Sequence, residues 1–430
     1  MTYTLEVEYE FFPVGQGLFS AGSLQGANDN QPRFRWVYDC GTLRAQYLVS
    51  SALNDFVSRI KGTGNSKPRL DLVTLSHLDW DHISGMETLL SSCSVETLML
   101  PYLPLWQRLY IGFTEESRRD KSGPIDFFVN PVAYLLNLPE VSIGRILFVM
   151  GGSNQPPQLS GIDPSVPRDE IRRTHIDNPP APDGREGPDF TADSRAFVQT
   201  VGNLGTRIEF LPRGGTLQVD GCWEFVPYND AELMPDPDDT FLDMVAHHRD
   251  TLLIAPSTPA LQQLRQVYND RYKTSPRRNL ISLFLYSGPY PADAPLHLIW
   301  SGFPAGFAPT GTRHGIIYTG DGYLNTQTRQ RQFLDHLGAE RIQHNLCLQV
   351  MHHGAKGNWQ PGLAQQFSPE LSVFSSDPHS GYRHPHDDVR QDFTSYGLVQ
   401  VDEHNAAIIH GSITYPGQYP VQTGILSMSS

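Results

Sequence analysis

One six-residue run constrains this chain more than any other feature. His77-Leu78-Asp79-Trp80-Asp81-His82 follows Ser76, and Ser76 follows the apolar stretch Leu70–Leu75. A short apolar run opening into polar residues predicts a buried strand. At its end, four side chains of the kinds that ligate hydrolytic metals fall within six positions. A helix would place His77, Asp81 and His82 unevenly, whereas a loop at a strand end folds all four inward around a two-metal centre. The same residues also read as a polar loop with an aspartate capping a helix that starts near Ser84.

Three more clusters sit at expected strand ends. Gly320-Asp321 ends the strand Gly315–Thr319, and His352-His353-Gly354 ends Leu346–Met351. Tyr382-Arg383-His384-Pro385-His386 follows the strand Leu371–Phe374. Singly, a strand-terminal aspartate is commonly a turn residue and a histidine pair commonly a surface feature. With the run at 77–82 they form a convergent set, because strand ends on one edge of a sheet share a cleft. Further strands are expected at Tyr3–Phe12, Phe34–Asp39, Val95–Leu100, Leu280–Leu285 and Leu296–Trp300. Helices are expected over about Gln46–Ile60, Pro259–Tyr272 and Thr326–Leu337, and from about Asp387. This alternation predicts an α/β fold of two sheets flanked by helices. Residues 101–250 are rich in Pro, Gly and Asp, as in the stretch Asn154–Pro167. They are expected to form an elaboration between core halves at about 1–100 and 251–430, with strands near Arg207–Phe210 and Trp223–Pro227.

The 430 residues are 39% hydrophobic and 18% charged, a globular composition. Lys and Arg number 32 against 46 Asp and Glu, a net charge of −14, so contact with nucleic acid has to come from a local patch. Arg271, Lys273, Arg277 and Arg278 form one candidate patch. Arg118-Arg119-Lys121 and Arg168-Arg172-Arg173 are others. Four dispersed cysteines without a CxxC pair fit reduced thiols. With no basic, apolar leader and no run of 18 apolar residues, a cytoplasmic protein without a membrane span is expected.

In these motifs the chain resembles the metallo-β-lactamase fold superfamily. His77 to His82 looks like its HxHxDH signature with Asp79 in place of the second histidine. The resemblance extends to the branch containing the hydrolase domain of the bacterial competence DNA-uptake channel. Val14-Gly15-Gln16-Gly17, Asp39-Cys40-Gly41, Asn279 with Ser282, Thr319-Gly320-Asp321, His352-His353-Gly354 and Arg383-His384-Pro385-His386 follow that branch's motif order. Arg383 stands where the branch usually has glycine. The resemblance implies a four-layer αββα sandwich binding two divalent metal ions. It assigns His77, Asp79 and His353 to one metal, Asp81, His82 and His384 to the other, and Asp321 to both. His352, Asn279, Ser282, Arg277 and Arg278 are left as supporting or substrate-facing residues.

Three carboxylates and a bridging hydroxide would balance the +4 of two divalent ions. The added carboxylate moves the site from zinc toward harder Mn²⁺, leaving both as candidates. The expected reaction is hydrolysis by a metal-bridging hydroxide, with Asp81 orienting the nucleophile and His386 or His352 assisting the leaving group. The branch favours phosphodiesters, hence a nuclease or phosphodiesterase acting on nucleic acid, in a setting such as a bacterial defence effector with a protein partner on the 101–250 stretch. The alternatives are a lactonase- or thioesterase-like hydrolase of a small carbonyl or phosphoryl substrate, and a non-catalytic scaffold.

Overall fold

A computed structural model describes residues 3–30, 32, 34–62, 66–116, 125–151, 187–202, 205–212, 214–219, 221–230, 240–241, 243–245, 258–271, 282–292, 296–301, 311–415 and 426–429. The chain starts with β1 (Tyr3–Phe11), β2 (Phe19–Gly26), β3 (Phe34–Cys40), β4 (Arg69–Thr74), β5 (Ser94–Pro101), β6 (Ser142–Val149) and β7 (Arg207–Leu211), all in one sheet. It then enters a second sheet with β8 (Thr216–Val219), β9 (Trp223–Asn229) and β10 (Leu283–Pro289). β11 (His297–Ser301) returns to the first sheet. β12 (Gly315–Tyr318), β13 (Asn345–Gln349), β14 (Leu371–Ser375) and β15 (Leu398–Val401) extend the second. β16 (Ala407–Tyr415) pairs with β1 and β11, and β17 (Leu426–Ser429) pairs with β8.

Both sheets are mixed. The first runs antiparallel from β11 through β16, β1 and β2 to β3, then parallel from β3 to β7. The second is antiparallel from β17 through β8, β9 and β10 to β12, then parallel from β12 to β15. Strand alternation sets the faces. Leu5, Val7, Tyr9 and Phe11 of β1, with Trp36 and Tyr38 of β3, join Trp223, Phe225, Leu283 and Ile316 of the second sheet in one apolar core. Val37 and Cys40 point the other way, into a core shared with Val49, Leu53 and Phe56 of the helix Gln46–Ile60. A third core joins Phe284, Ile317 and Phe374 to the helices Gln327–Leu337, Leu363–Phe367 and Asp387–Phe393.

The ring of Tyr38 stacks on Tyr318 at 4.6 Å, and its hydroxyl donates to Leu283 O at 2.7 Å. Those two tyrosines stand beside Asp39 and the Thr319-Gly320-Asp321 turn, so the stack fixes the spacing of strand ends in opposite sheets. Residues 101–250 supply β6 to β9, with two strands for each sheet. Of these, β7 and β9 fall at the expected strands near Arg207–Phe210 and Trp223–Pro227, whereas β6 and β8 were not expected. Part of the stretch does build a separate small core, in which Trp106, Leu109 and Phe113 meet Phe241, Leu264 and Tyr268. Among the described residues no helix is long and apolar enough to cross a membrane.

Candidate metal centre

The parallel halves of both sheets aim their C-terminal strand ends at one place, the usual location of a site in such sheets. β4 delivers the run 76–82. After Ser76 the chain stays extended to Asp79, and one helical turn, Trp80–Ile83, carries Asp81 and His82 inward. This turn fits because two glycines make room. A Cβ on Gly41 would stand 2.6 Å from Asp81 C and His82 N, and one on Gly17 would stand 2.9 Å from Asp81 O. Leu18 N donates to Asp81 O at 3.1 Å. The two N-terminal glycine motifs are therefore a backbone cradle for the ligand turn.

β12 ends in the Thr319-Gly320-Asp321 turn. Gln349 Oε1 accepts from the backbone N–H groups of Thr319 and Gly320, both at 2.8 Å. Ser282 Oγ donates to Thr319 O at 3.3 Å and accepts from Asp321 N at 3.2 Å. Gly320 has φ +51, and a Cβ there would stand 2.8 Å from Ser76 Cβ, so only glycine serves. β13 leads into a turn, Met351–Gly354, that carries His352 and His353, with φ +46 and +59. Two successive non-glycine residues in the left-handed region cost about 1–2 kcal/mol each. The bend turns both imidazoles toward Asp321.

Asp321 is the hub. Its Oδ1 lies 3.0 Å from His82 Nε2 and 3.6 Å from His353 Nε2. Its Oδ2 lies 3.4 Å from His352 Nε2 and 3.7 Å from His77 Nε2. Asp81 Oδ2 is 3.1 Å from His353 Nε2, and Asp79 Oδ2 is 3.9 Å from His77 Nε2. All of these side chains except half-buried His352 are buried.

The opposite face of each ring assigns its proton. His353 Nδ1 meets Ser375 O at 2.6 Å, and a carbonyl only accepts, so Nδ1 carries hydrogen. His82 Nδ1 meets Asp39 Oδ2 at 2.6 Å. Ser76 Oγ spends its hydrogen on Asp39 Oδ2 at 2.6 Å, so it accepts from His77 Nδ1 at 2.8 Å. Asn358 Nδ2 donates to Asp321 O at 2.8 Å, which leaves Asn358 Oδ1 to accept from His352 Nδ1 at 2.9 Å. In their neutral forms all four rings thus point an Nε2 lone pair at a buried carboxylate. Lone pairs and carboxylates repel unless cations sit among them. His77 Nε2 and His82 Nε2 are buried without a hydrogen-bond partner. This donor set fits metal ions.

Without metal, protons compensate instead. Burial opposes charge on His82 and His353, but Asp321 with its carboxylate neighbours holds both above the usual imidazole value, His82 well above. Burial and then His82 push His77 down to about 3. Burial opposes ionisation of Asp321, but His352, His82 and His353 hold its carboxyl well below the usual range.

The donor atoms gather into Asp81, His82, Asp321 and His353 on one side, and His77, Asp79 and Asp81 on the other. Asp39 groups with His77 and His82, where it already binds His82 and Ser76. Two placements differ from the expected sets. His353 gathers with Asp81 and His82 rather than with His77 and Asp79 alone. His384 is in neither group; its ring lies 5.7 Å from that of His352 and 6.3 Å from that of His353.

His384 and His386 have the opposite arrangement at the mouth of the centre. Gln16 Oε1 accepts from Asp377 N at 3.2 Å, so its amide nitrogen donates to His384 Nδ1 at 3.2 Å. Lys356 N donates to His386 Nδ1 at 3.2 Å. Both neutral rings therefore carry their proton on Nε2. Burial, then His353, His352 and His386, push His384 down to about 3. Asn279, Arg277 and Arg278 lie outside the described residues, as do the other predicted basic patches apart from the helix end at Arg271.

Sequence reasoning gave no role to Asp39, Ser76, Ser375, Asn358 or Gln349, which orient the ligands. The one available signal was an aspartate ending an apolar strand at Asp39. Neither a scan against protein-family models nor a search of curated proteins gives a match to this chain.

Proposed function

We propose that this chain is a dinuclear metal-dependent hydrolase, a phosphodiesterase acting on nucleic acid, on a four-layer αββα sandwich of the metallo-β-lactamase type. The observation that carries this reading is the Asp321 carboxylate ringed by the Nε2 atoms of four histidines. One core between the sheets and one against helices on the outer face of each support the layering. The motif order along the chain supports the substrate class.

His77, Asp79, Asp81, His82, Asp321 and His353 would hold the ions, with three carboxylates favouring Mn²⁺ over an imidazole-rich zinc site. Divalent ions bound there supply a water ionised at neutral pH and neutralise charge on the substrate's oxygens. The chain's own residues do the positioning. Asp39 and Ser76 hold the rings of His82 and His77 with Nε2 inward, and Ser375 O does so for His353. Asp81, shared by both donor groups, orients the attacking group. His386 holds a proton on Nε2 at the half-exposed mouth, where a leaving oxygen departs.

The test is a cleavage assay on single-stranded DNA, duplex DNA, RNA and bis-p-nitrophenyl phosphate with Mn²⁺, Zn²⁺ or Mg²⁺. Cleavage of a phosphodiester by the wild type and not by Asp81→Ala is expected, with Mn²⁺ supporting turnover. A metal-loaded protein that cleaves none of these substrates overturns the reading.

A further inference from the structure

Arg383 has φ +54, a conformation that glycine adopts freely and a side chain resists. The chain thus carries an arginine at a position whose backbone favours glycine. Strain of this kind persists where the surrounding structure over-determines it, and it clusters at functional sites. Arg383 is exposed, and among the described residues its guanidinium makes no ion pair. Lys356, whose N–H holds His386, is by contrast ion-paired to Asp388.

Beside Arg383 lies Tyr382, 58% exposed, one of five exposed large hydrophobic residues among those described. Its ring centroid is 5.9 Å from that of His384, which in turn lies 5.7 Å from His352 and 4.9 Å from His386. A row of rings thus leads from solvent to the Asp321 hub. The loop presenting them is fixed. Arg383 N donates to Ser380 O at 3.1 Å, and Ser380 N to Asp377 O at 3.0 Å. Asp377 is held by Arg44 at 3.1 Å and by Gln16 Oε1. An exposed aromatic ring costs solubility and contributes little to the core, and a strained cation beside it adds no ion pair.

We infer that Tyr382 and Arg383 form a strand-binding rim, the ring stacking on a base next to the scissile phosphate and the guanidinium contacting a neighbouring phosphate. This rests on the phosphodiesterase reading. Stacking tolerates any base, because each has a π-face, and arginine suits a phosphate's geometry. In an acidic chain, such a rim gives a polyanion a local foothold at the metal centre.

The test uses the full chain with Arg383→Gly, Tyr382→Ala and Tyr382→Phe. Each is assayed on a short single-stranded oligonucleotide and on bis-p-nitrophenyl phosphate over a range of salt. Tyr382→Ala is expected to lose about 5- to 150-fold in kcat/KM on the oligonucleotide, the scale of one stacked base, with Tyr382→Phe restoring most of it. Arg383→Gly is expected to raise KM for the oligonucleotide and to reduce the salt slope by about one. Its thermal midpoint should equal or exceed that of the wild type, because the strain is relieved. For both, the loss on the oligonucleotide should exceed that on the small diester at least about threefold. Equal losses on the two substrates, or an oligonucleotide rate unchanged in both variants, overturn the rim. A wild type that cleaves neither substrate overturns the phosphodiesterase reading itself, which separates the two failures.

Discussion

Two buried charge clusters in this molecule are built on opposite plans. Under the second sheet, Arg341 donates to Glu224 through Nε at 2.7 Å and Nη2 at 2.9 Å, and through Nη1 to Leu337 O at 2.8 Å. A guanidinium stays charged at every accessible pH, so this pair is complete within the chain. At the strand ends, Asp321 is met instead by four imidazoles, with Asp79 and Asp81 close by. An imidazole, unlike a guanidinium, can give up its charge, and when these do, three carboxylates face lone pairs. A complete pair fastens structure. An incomplete one could hold a cation that comes from outside.

The sharpest way to break this contrast is to neutralise each hub. Asp321→Asn is expected to lower metal-dependent turnover at least about a thousandfold while the metal-free fold persists, checked by kinetics and circular dichroism. Arg341→Met, which strands Glu224 in the core, is expected to cost about 3–5 kcal/mol in denaturant melts, with much of it recovered by adding Glu224→Gln. If Asp321→Asn unfolds the protein and Arg341→Met does not, the assignment of roles is reversed.

Metal addition gives a smaller effect. Free ion at a hundred times its dissociation constant is expected to stabilise the wild type by about 2.7 kcal/mol per site, read as a rise in thermal midpoint, and Asp321→Asn to lose most of it. His82 and His353 titrate above the ordinary imidazole value in the metal-free fold, so ions must displace their protons. Metal affinity should then fall as pH drops through those raised values, by up to about tenfold per pH unit for each proton displaced.

A pH effect of another sign origin belongs to the fold alone. Burial lowers His336 to about 4. Its folded value lies below the unfolded one, so its contribution is complete above about pH 6.5 and is lost as pH falls from there toward 4. The expected slope is about 1.4 kcal/mol per pH unit, and His336→Gln should remove it.

Legibility from sequence followed locality. The strand before Ser76 and the helix Gln46–Ile60 stood out because apolar spacing is a local signal. The run 77–82, the Thr319-Gly320-Asp321 turn and the histidine pair stood out because each packs its chemistry into neighbouring residues. Their supports did not. Asp39 lies 37 residues from Ser76, and Ser375 lies 22 from His353, distances over which only the folded sheets set contacts. β2, β6, β8, β16 and β17 also went unread, and β2, β6 and β16 are interrupted by glycines that blur a strand pattern. His384 belonged to a clear motif, yet its Nδ1 bond to Gln16, made across 368 residues, sets it apart from the ligand rings.

Metal content decides most directly whether the Asp321 hub holds two ions. Wild-type protein and Asp321→Asn would be stripped, loaded with Mn²⁺ or Zn²⁺, freed of excess ion and measured by plasma mass spectrometry. The expected result is two equivalents per chain in the wild type and fewer than one in Asp321→Asn. The same content in both proteins, or none in the wild type, would contradict it.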